Sequence, residues 1–435
     1  MSTEPTQVTG SPKGAGEQAK ARRRVLTAGG VGTFVEFYDF AIYGYCAPVI
    51  AAQFFPGTNQ VAALLSTFAV YGIAFVIRPL GGVLFGALGD RIGRRGVLSA
   101  VLLLIGIATA TIGLLPTYHQ IGLFAPLLLV LCRLLQGLSA GGEAIGATSF
   151  VYEHAPAGRR GMWVTIVIAM SALPSVVAAL FVFGLTSGLS EDAFNSWGWR
   201  IPFLVALPMS LIGLYIRMRT EESPEFEQVR TEKQITTTPV RDSFRQHLGS
   251  MVFVFCFAAL SALGFYFLIG YLATYLDVVA GLSREHALLS NSVALLVFTF
   301  LLPVCGRISD SVGRKRMLLA GAAMVAICGV PAFLLIGAGG LLPAILGQVL
   351  LAAALCVFGG GSYPSFVEMF PTATRFTGAA ISYNIGYAAL GGTAPFVGTY
   401  LVSVSGNDLA PSFYLAVVAA AVFLVALRMR VKPVH

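Results

Sequence analysis

The chain has 435 residues, 56% of them hydrophobic and only 11% charged, with a net charge of +8 and a mean hydropathy of +0.80. Soluble domains carry about a quarter charged residues, so this balance excludes an ordinary soluble enzyme and describes a protein that faces lipid. The basic excess raises nucleic acid as a partner, and the placement of the basic residues decides that question.

Residues 1–24 are polar and end in Lys20, Arg22, Arg23 and Arg24, the composition of a disordered basic tail. Apolar segments follow, each of about 20 residues or more, the length that crosses ~30 Å of hydrocarbon. The first is too long for a signal-peptide core and is expected to remain as a span. Twelve spans are predicted, at 25–53, 60–88, 97–116, 121–149, 161–187, 199–218, 249–277, 287–306, 317–337, 341–367, 377–402 and 411–430. Spans 9 and 10 are separated only by Ala338, Gly339 and Gly340.

With the N-terminus inside, basic residues number 5 in the tail, 3 after span 2, 2 after span 4, 6 after span 6, 4 after span 8, 1 after span 10 and 3 at the C-terminus. That is 24 of 28 on one side. By the positive-inside rule both termini are cytoplasmic, and the charge is explained without nucleic acid. The expected organisation is a tail (1–24), an N-terminal six-helix bundle (25–219), a cytoplasmic linker (220–248) and a C-terminal six-helix bundle (249–431). Cys46, Cys132, Cys256, Cys305, Cys328 and Cys356 fall within or at the ends of apolar segments, with no CxxC spacing and no flanking His. They read as small buried hydrophobes, not as a disulfide framework or a metal site.

Two internal repeats support the division into halves. GALGDRIGRRGVL (86–98) returns as GRISDSVGRKRML (306–318), pairing Asp90 with Asp310, Gly93 with Gly313 and Arg94 with Arg314 at an offset of 220. EHAPAGRR (153–160) returns as EMFPTATR (368–375), pairing Glu153 with Glu368 and Arg160 with Arg375 at an offset of 215. Duplicated six-helix halves with charged loops on one face are an alternating-access layout.

On the segments GTFVEFYDFAIYGY (32–45), RPLGG (78–82), GALGDRIGRR, RLLQGLSAGGE (133–143), WGWRIPF (197–203) and EMFPTATR, the chain resembles the major facilitator superfamily. Within it the chain is similar to the metabolite:proton symporter branch, which includes permeases for proline and betaine, α-ketoglutarate, citrate and shikimate. The resemblance implies an all-α membrane protein with twelve transmembrane helices in two six-helix halves. It implies proton-coupled uptake of a small organic acid or zwitterion across the plasma membrane, with no enzymatic activity and no cofactor, by a monomer whose partners are the substrate, the proton and the bilayer. A proton antiporter for drugs or metabolites, and a receptor that kept the fold, are the alternatives. Phe37 stands where the branch has Trp, and Ala144 where it has an aromatic, so pocket shape is expected to differ. No heptad pattern precedes His435, against osmotic gating, and SALPS (171–175) lacks the antiporter signature of span 5.

Charge inside a membrane costs several kcal/mol unless paired, so intramembrane ionisable residues are functional candidates. Glu36 and Asp39 in span 1 and Arg133 and Glu143 in span 4 are the candidates for proton coupling. Counted from opposite sides, Glu36 and Arg133 each lie ~18 Å deep and can meet. Asp39 is the first choice, with Arg133 as its partner or as the anchor of an anionic substrate; a static ion pair is the plain alternative. Tyr266, Tyr271, Tyr275, Asn291, Tyr383, Asn384 and Tyr387 of the second half can bind a carboxylate or a quaternary ammonium. Arg78, ~27 Å from Gln60 and so near the inner end of span 2, is assigned to gating or to snorkelling. Asp90, Arg94, Glu153, Arg160, Asp310, Arg314, Glu368 and Arg375 are assigned to the gate. GLSAG (137–141) fits a hydrolase elbow but lies inside an apolar helix, where small residues four apart serve close packing. Neither a metal spacing nor a phosphate-binding loop is present, so ATP is not the expected energy source.

Overall fold

A computed structural model describes residues 15–57, 60–232 and 235–429. The regular elements among them are helices. Eleven are long and apolar enough to cross a membrane, and a twelfth span is assembled from shorter pieces. The N-terminal half holds α1 (Ala15–Tyr45), α2 (Gln60–Ile92), α3 (Arg94–Leu114), α4 (Phe124–His154), α5 (Arg160–Gly188) and α6 (Arg200–Met218). The C-terminal half holds α7 (Leu248–Asp277), α8 (Arg284–Val312), α9 (Arg314–Gly337) and α10 (Leu341–Glu368). It continues with α11, built from Arg375–Gly386, a π turn at Tyr387–Gly391 and Ala394–Ser405, and ends with α12 (Ala410–Leu427).

Two boundaries differ from expectation. α1 begins at Ala15, so 15–24 continues the first helix instead of forming a tail; 1–14 lie outside the described residues. Span 1 ends at Tyr45, and a separate short helix, Ala47–Phe54, follows it. α7 and α11 each carry a π turn at mid-length, Phe267–Tyr271 and Tyr387–Gly391. Such turns interrupt the regular hydrogen-bond ladder and are frequent at functional sites.

Large apolar side chains such as Val76, Phe300, Ile327 and Phe396 point outward and are more than 70% exposed. Acyl chains accept such a surface and water does not. The repeated motif explains itself in the backbone. Gly93 and Gly313 precede α3 and α9 with φ of +106° and +99°, a region where a Cβ is strained. Gly86 and Gly306 mark the crossings between halves. A Cβ on Gly86 would lie 2.9 Å from Thr377 Cα, and one on Gly306 would lie 2.8 Å from the Gly161 carbonyl oxygen. The GLSAG stretch serves packing, since Cβ atoms on Gly137 and Gly141 would overlap the carbonyl oxygens of Ala74 and Arg78 on α2.

The linker contains two short helices, Pro224–Thr231 and Pro239–Gln246, on the face that carries the repeated motifs. Ser223 caps the first, accepting from the Phe226 amide at 3.1 Å.

Candidate functional site

Glu36 and Asp39 are three residues apart on α1, which separates their directions by about 60° on a helix. That rotation sends them to different partners. Asp39 Oδ2 accepts from Arg133 Nη1 at 3.2 Å, and Oδ1 accepts from Thr109 Oγ1 at 2.9 Å and from Gln136 Nε2. Arg133 Nη1 also donates to Gln136 Oε1 at 2.9 Å, and its guanidinium lies 3.6 Å from the centre of the Tyr43 ring. The whole cluster is buried and comes from α1, α3 and α4 of one half. Its carboxylate is held by neighbours that need not move when the halves do.

Glu36 pairs with Arg78, whose Nη2 donates to Oε1 at 2.5 Å. The count from Gln60 puts Arg78 at the inner end of its span, and this is corrected: α2 is 33 residues long and Arg78 lies near its middle, fully buried. Phe40 and Phe75 flank the guanidinium at 5.6 and 5.8 Å. Across the seam, Tyr266 lies edge-on to Phe75 at 5.5 Å and to Tyr387 at 6.3 Å, and Tyr383 stacks near Tyr387 at 4.0 Å. A cavity of about 10 Å³ lies between the halves, walled by Thr33, Phe37, Phe265, Tyr363, Tyr383 and Tyr387 among others. That volume is about one water molecule, so the centre is closed around its side chains. Phe37, where the branch has Trp, meets Phe265 edge-on at 5.9 Å across this seam.

Glu143 does not join Arg133. It forms a two-pronged pair with Arg217, at 2.6 and 3.1 Å, and Arg217 also donates to the carbonyls of Leu98 and Ala28. Both partners are fully buried, tying α4 and α6 to α1 and α3. Arg217 stood among the loop residues in the charge count and is in fact interior; its place two residues inside the expected span was the available signal. Asn384 donates to the Gly141 carbonyl at 2.7 Å, a bond between α11 and α4. Tyr271, Tyr275 and Asn291 are not brought to the seam cavity. Asn291 bonds the Leu268 carbonyl and Gln348 at 2.6 and 3.0 Å, Tyr275 donates to the Asp408 carbonyl at 3.0 Å, and Tyr271 packs on Gly398.

On the linker face, the repeated acids cross between halves. Asp90 accepts from the amides of Phe376 and Thr377 at 3.2 and 2.8 Å, capping α11. Asp310 accepts from the amides of Gly161 and Met162 at 2.7 and 3.0 Å, capping α5. Each carboxylate thus sits at the positive end of a helix belonging to the other half. Arg94 pairs with Asp90 and Glu153, and Arg314 with Asp310 and Glu368. Arg375 crosses to Glu153 at 2.5 Å. Sequence reasoning missed the linker's share. Glu225 accepts from Arg160 at 2.7 Å and from Arg375 at 2.5 Å, while Glu222 caps α3 through the amides of Arg94 and Arg95. Partial burial alone would push the Glu225 carboxyl up, but Arg375 and Arg160 outweigh it and hold it below the ordinary range.

Twelve spans in two repeated halves, closed over buried charge, define a membrane protein of the major facilitator fold. The chain belongs to the family described as Sugar (and other) transporter, whose sequence profile matches residues 25–246 and 227–430. It is 35% identical over 417 residues to the glycine betaine/proline/ectoine/pipecolic acid transporter OusA of Dickeya dadantii (strain 3937), covering 94% of this chain and 83% of that one. Identity to the proline/betaine transporter of Escherichia coli (strain K12) is 33% with the same coverage. A putative proline/betaine transporter of Staphylococcus aureus (strain COL) is 35% identical, covering 94% of this chain and 88% of that one. Among solved structures, the proton:xylose symporter XylE bound to 6-bromo-6-deoxy-D-glucose superposes with a TM-score of 0.77 at 17% identity, over 94% of this chain and 95% of that one. A double-tryptophan mutant of XylE gives 0.79 at 16% identity, over 94% and 96%. At such identity the likeness concerns the fold.

Proposed function

We propose that the protein is a proton-coupled symporter that takes up a small zwitterionic or organic-acid metabolite by alternating access. The observation that carries the coupling is Asp39, a buried carboxylate bonded to Arg133, Thr109 and Gln136 within one half. Protonation neutralises Asp39 and frees Arg133, so a proton changes the charge balance at the centre without touching the substrate path. The relatives named for proline and betaine support a compact zwitterion as cargo.

In this reading the protein sits as a monomer in the cell membrane, with both termini and the linker face in the cytoplasm, and it binds its small-molecule substrate without chemical conversion. Asp90, Arg94, Glu153, Arg160, Asp310, Arg314, Glu368 and Arg375 form the inner gate, closed here, and Glu225 joins them. Glu143 and Arg217 brace the N-terminal half. The test is Asp39→Asn in proteoliposomes: accumulation driven by a pH gradient is abolished while counterflow exchange of labelled substrate continues. Undiminished accumulation by the variant would overturn the reading.

A further inference from the structure

The two buried ion pairs on α1 have different surroundings. Asp39 has hydrogen bonds on both oxygens, all from its own half, and its arginine lies against the Tyr43 ring. Glu36 has a single hydrogen bond, from Arg78 to Oε1. Among the described residues its Oε2 has no hydrogen-bonding partner, and neither has Arg78 Nε, both buried; Arg133 also has unpaired nitrogens, Nε and Nη2, so the contrast between the two pairs lies in the carboxylates. Buried polar atoms in native proteins are nearly always satisfied, so a buried carboxylate oxygen left open beside its arginine marks a place where something else binds.

The pair also faces the opposite half. Phe75, which flanks Arg78, meets Tyr266 of the other half at 5.5 Å, and Tyr266 leads on to Tyr387 at 6.3 Å and from there to Tyr383 at 4.0 Å. Tyr383, Tyr387 and Thr33 wall the seam cavity, and the π turn at Tyr387–Gly391 breaks α11 at this level.

We propose that Arg78 and Glu36 are the substrate site and that it takes a compact zwitterion, whose carboxylate replaces Glu36 on Arg78 and whose ammonium or quaternary ammonium lies between the freed Glu36 and the faces of Tyr266, Tyr383 and Tyr387. Charge balance selects this class. Splitting a buried ion pair leaves two uncompensated charges, each costly, and a zwitterion supplies one partner for each. A simple anion satisfies Arg78 and strands Glu36; a simple cation does the reverse. A neutral polyol offers neither charge. The tyrosine faces attract a cation through their ring quadrupoles. The proposal rests on the transport reading only in that the seam opens to admit a ligand.

The test uses the purified full-length protein in proteoliposomes, with equilibrium binding of glycine betaine, L-proline and succinate at pH 7.5. The wild type binds the two zwitterions and excludes succinate. Glu36→Gln weakens glycine betaine at least tenfold and admits succinate, because the acid that repels it is gone. Arg78→Gln weakens both zwitterions at least tenfold. Because Arg78→Gln can fail to fold, Tyr387→Leu serves as a second variant that keeps the ion pair; it weakens glycine betaine at least fivefold. Wild-type affinity for glycine betaine in Glu36→Gln or Tyr387→Leu, or no zwitterion binding by the wild type, overturns the proposal. The same vesicles under a pH gradient separate the two ideas. Binding that responds to the variants without proton-driven accumulation overturns symport and keeps the site, whereas accumulation with unresponsive affinity does the opposite.

Discussion

Asp90 and Thr377, 287 residues apart and in opposite halves, meet through two hydrogen bonds, the Thr377 amide at 2.8 Å and its hydroxyl at 2.7 Å from Asp90 Oδ2. The duplicate acid repeats the arrangement in reverse, Asp310 capping the first turn of α5. Two crossed caps, each an anion at a helix N-terminus, join the halves on the linker face, and in the proposed reading they hold that face shut. Hydrogen bonds to a charged group contribute about 1.5–3 kcal/mol, so losing one cap shifts the closed-to-open ratio by about tenfold or more. Asp90→Ala and Asp310→Ala each lengthen the distance between spin labels placed on the inner ends of α2 and α11. Equal shifts from the two variants are expected from the duplication; unaltered distances from both would remove the caps from the gate.

Glu225 makes a different kind of latch, because it belongs to the linker and touches both halves, Arg160 at 2.7 Å and Arg375 at 2.5 Å. Its carboxyl is held below the ordinary value of 4.5. A group depressed in the closed state favours that state at every pH above its ordinary value and loses the contribution as pH falls through the depressed one. The latch is therefore constant from about pH 5.5 to 8 and weakens only in more acid solution. It is also partly exposed, so salt screens it. Inner-face opening measured by the same spin labels should rise from 0.1 M to 1 M salt (about 10 Å to 3 Å Debye length) in the wild type. In Glu225→Gln the salt dependence flattens, and a variant as salt-sensitive as the wild type would place the effect elsewhere.

Gly32 concerns stability. A Cβ there would overlap Glu143 Oε1 and Arg217 Nη2, both fully buried in a two-pronged pair. Gly32→Ala pushes the pair apart, and breaking a buried pair costs about 3–5 kcal/mol. Thermal unfolding in detergent should fall by several degrees for Gly32→Ala and further for Arg217→Leu, which strands Glu143. The double variant Glu143→Leu/Arg217→Leu should regain most of the loss, since two apolar groups leave no buried charge.

The spans, the halves and the loop motifs were legible because hydrophobic length and repeated residues report them directly. Partner choice was not. Whether Glu36 or Asp39 meets Arg133 depends on about 60° of helix rotation, which spacing alone leaves open. Arg78 was misplaced because one end of a 33-residue helix was used as a depth gauge, although such a helix overhangs the bilayer. Arg217 was hidden by its nearness to a span end, where a loop arginine and an interior one look alike. Glu225 left no trace because it has no counterpart in the repeat, and α11 read as continuous because its π turn is made of ordinary apolar residues.

Arg133 is the residue whose replacement separates charge from shape. One nitrogen, Nη1, serves both Asp39 at 3.2 Å and Gln136 at 2.9 Å, while the flat guanidinium lies 3.6 Å from the Tyr43 ring centre. Lysine keeps the charge but offers a compact, strongly hydrated ammonium that neither stacks nor reaches two acceptors in one plane. Arg133→Lys should fold and reach the membrane, yet lose at least tenfold in proton-driven accumulation. Tyr43→Phe keeps the face and loses the hydroxyl, with its bond to the Thr67 carbonyl at 3.2 Å, worth about 0.5–1.5 kcal/mol, so its transport stays near wild type. Tyr43→Leu removes the face and should resemble Arg133→Lys. Full activity in Arg133→Lys would mean that the position needs a positive charge and nothing more, and the stacked geometry would then be packing.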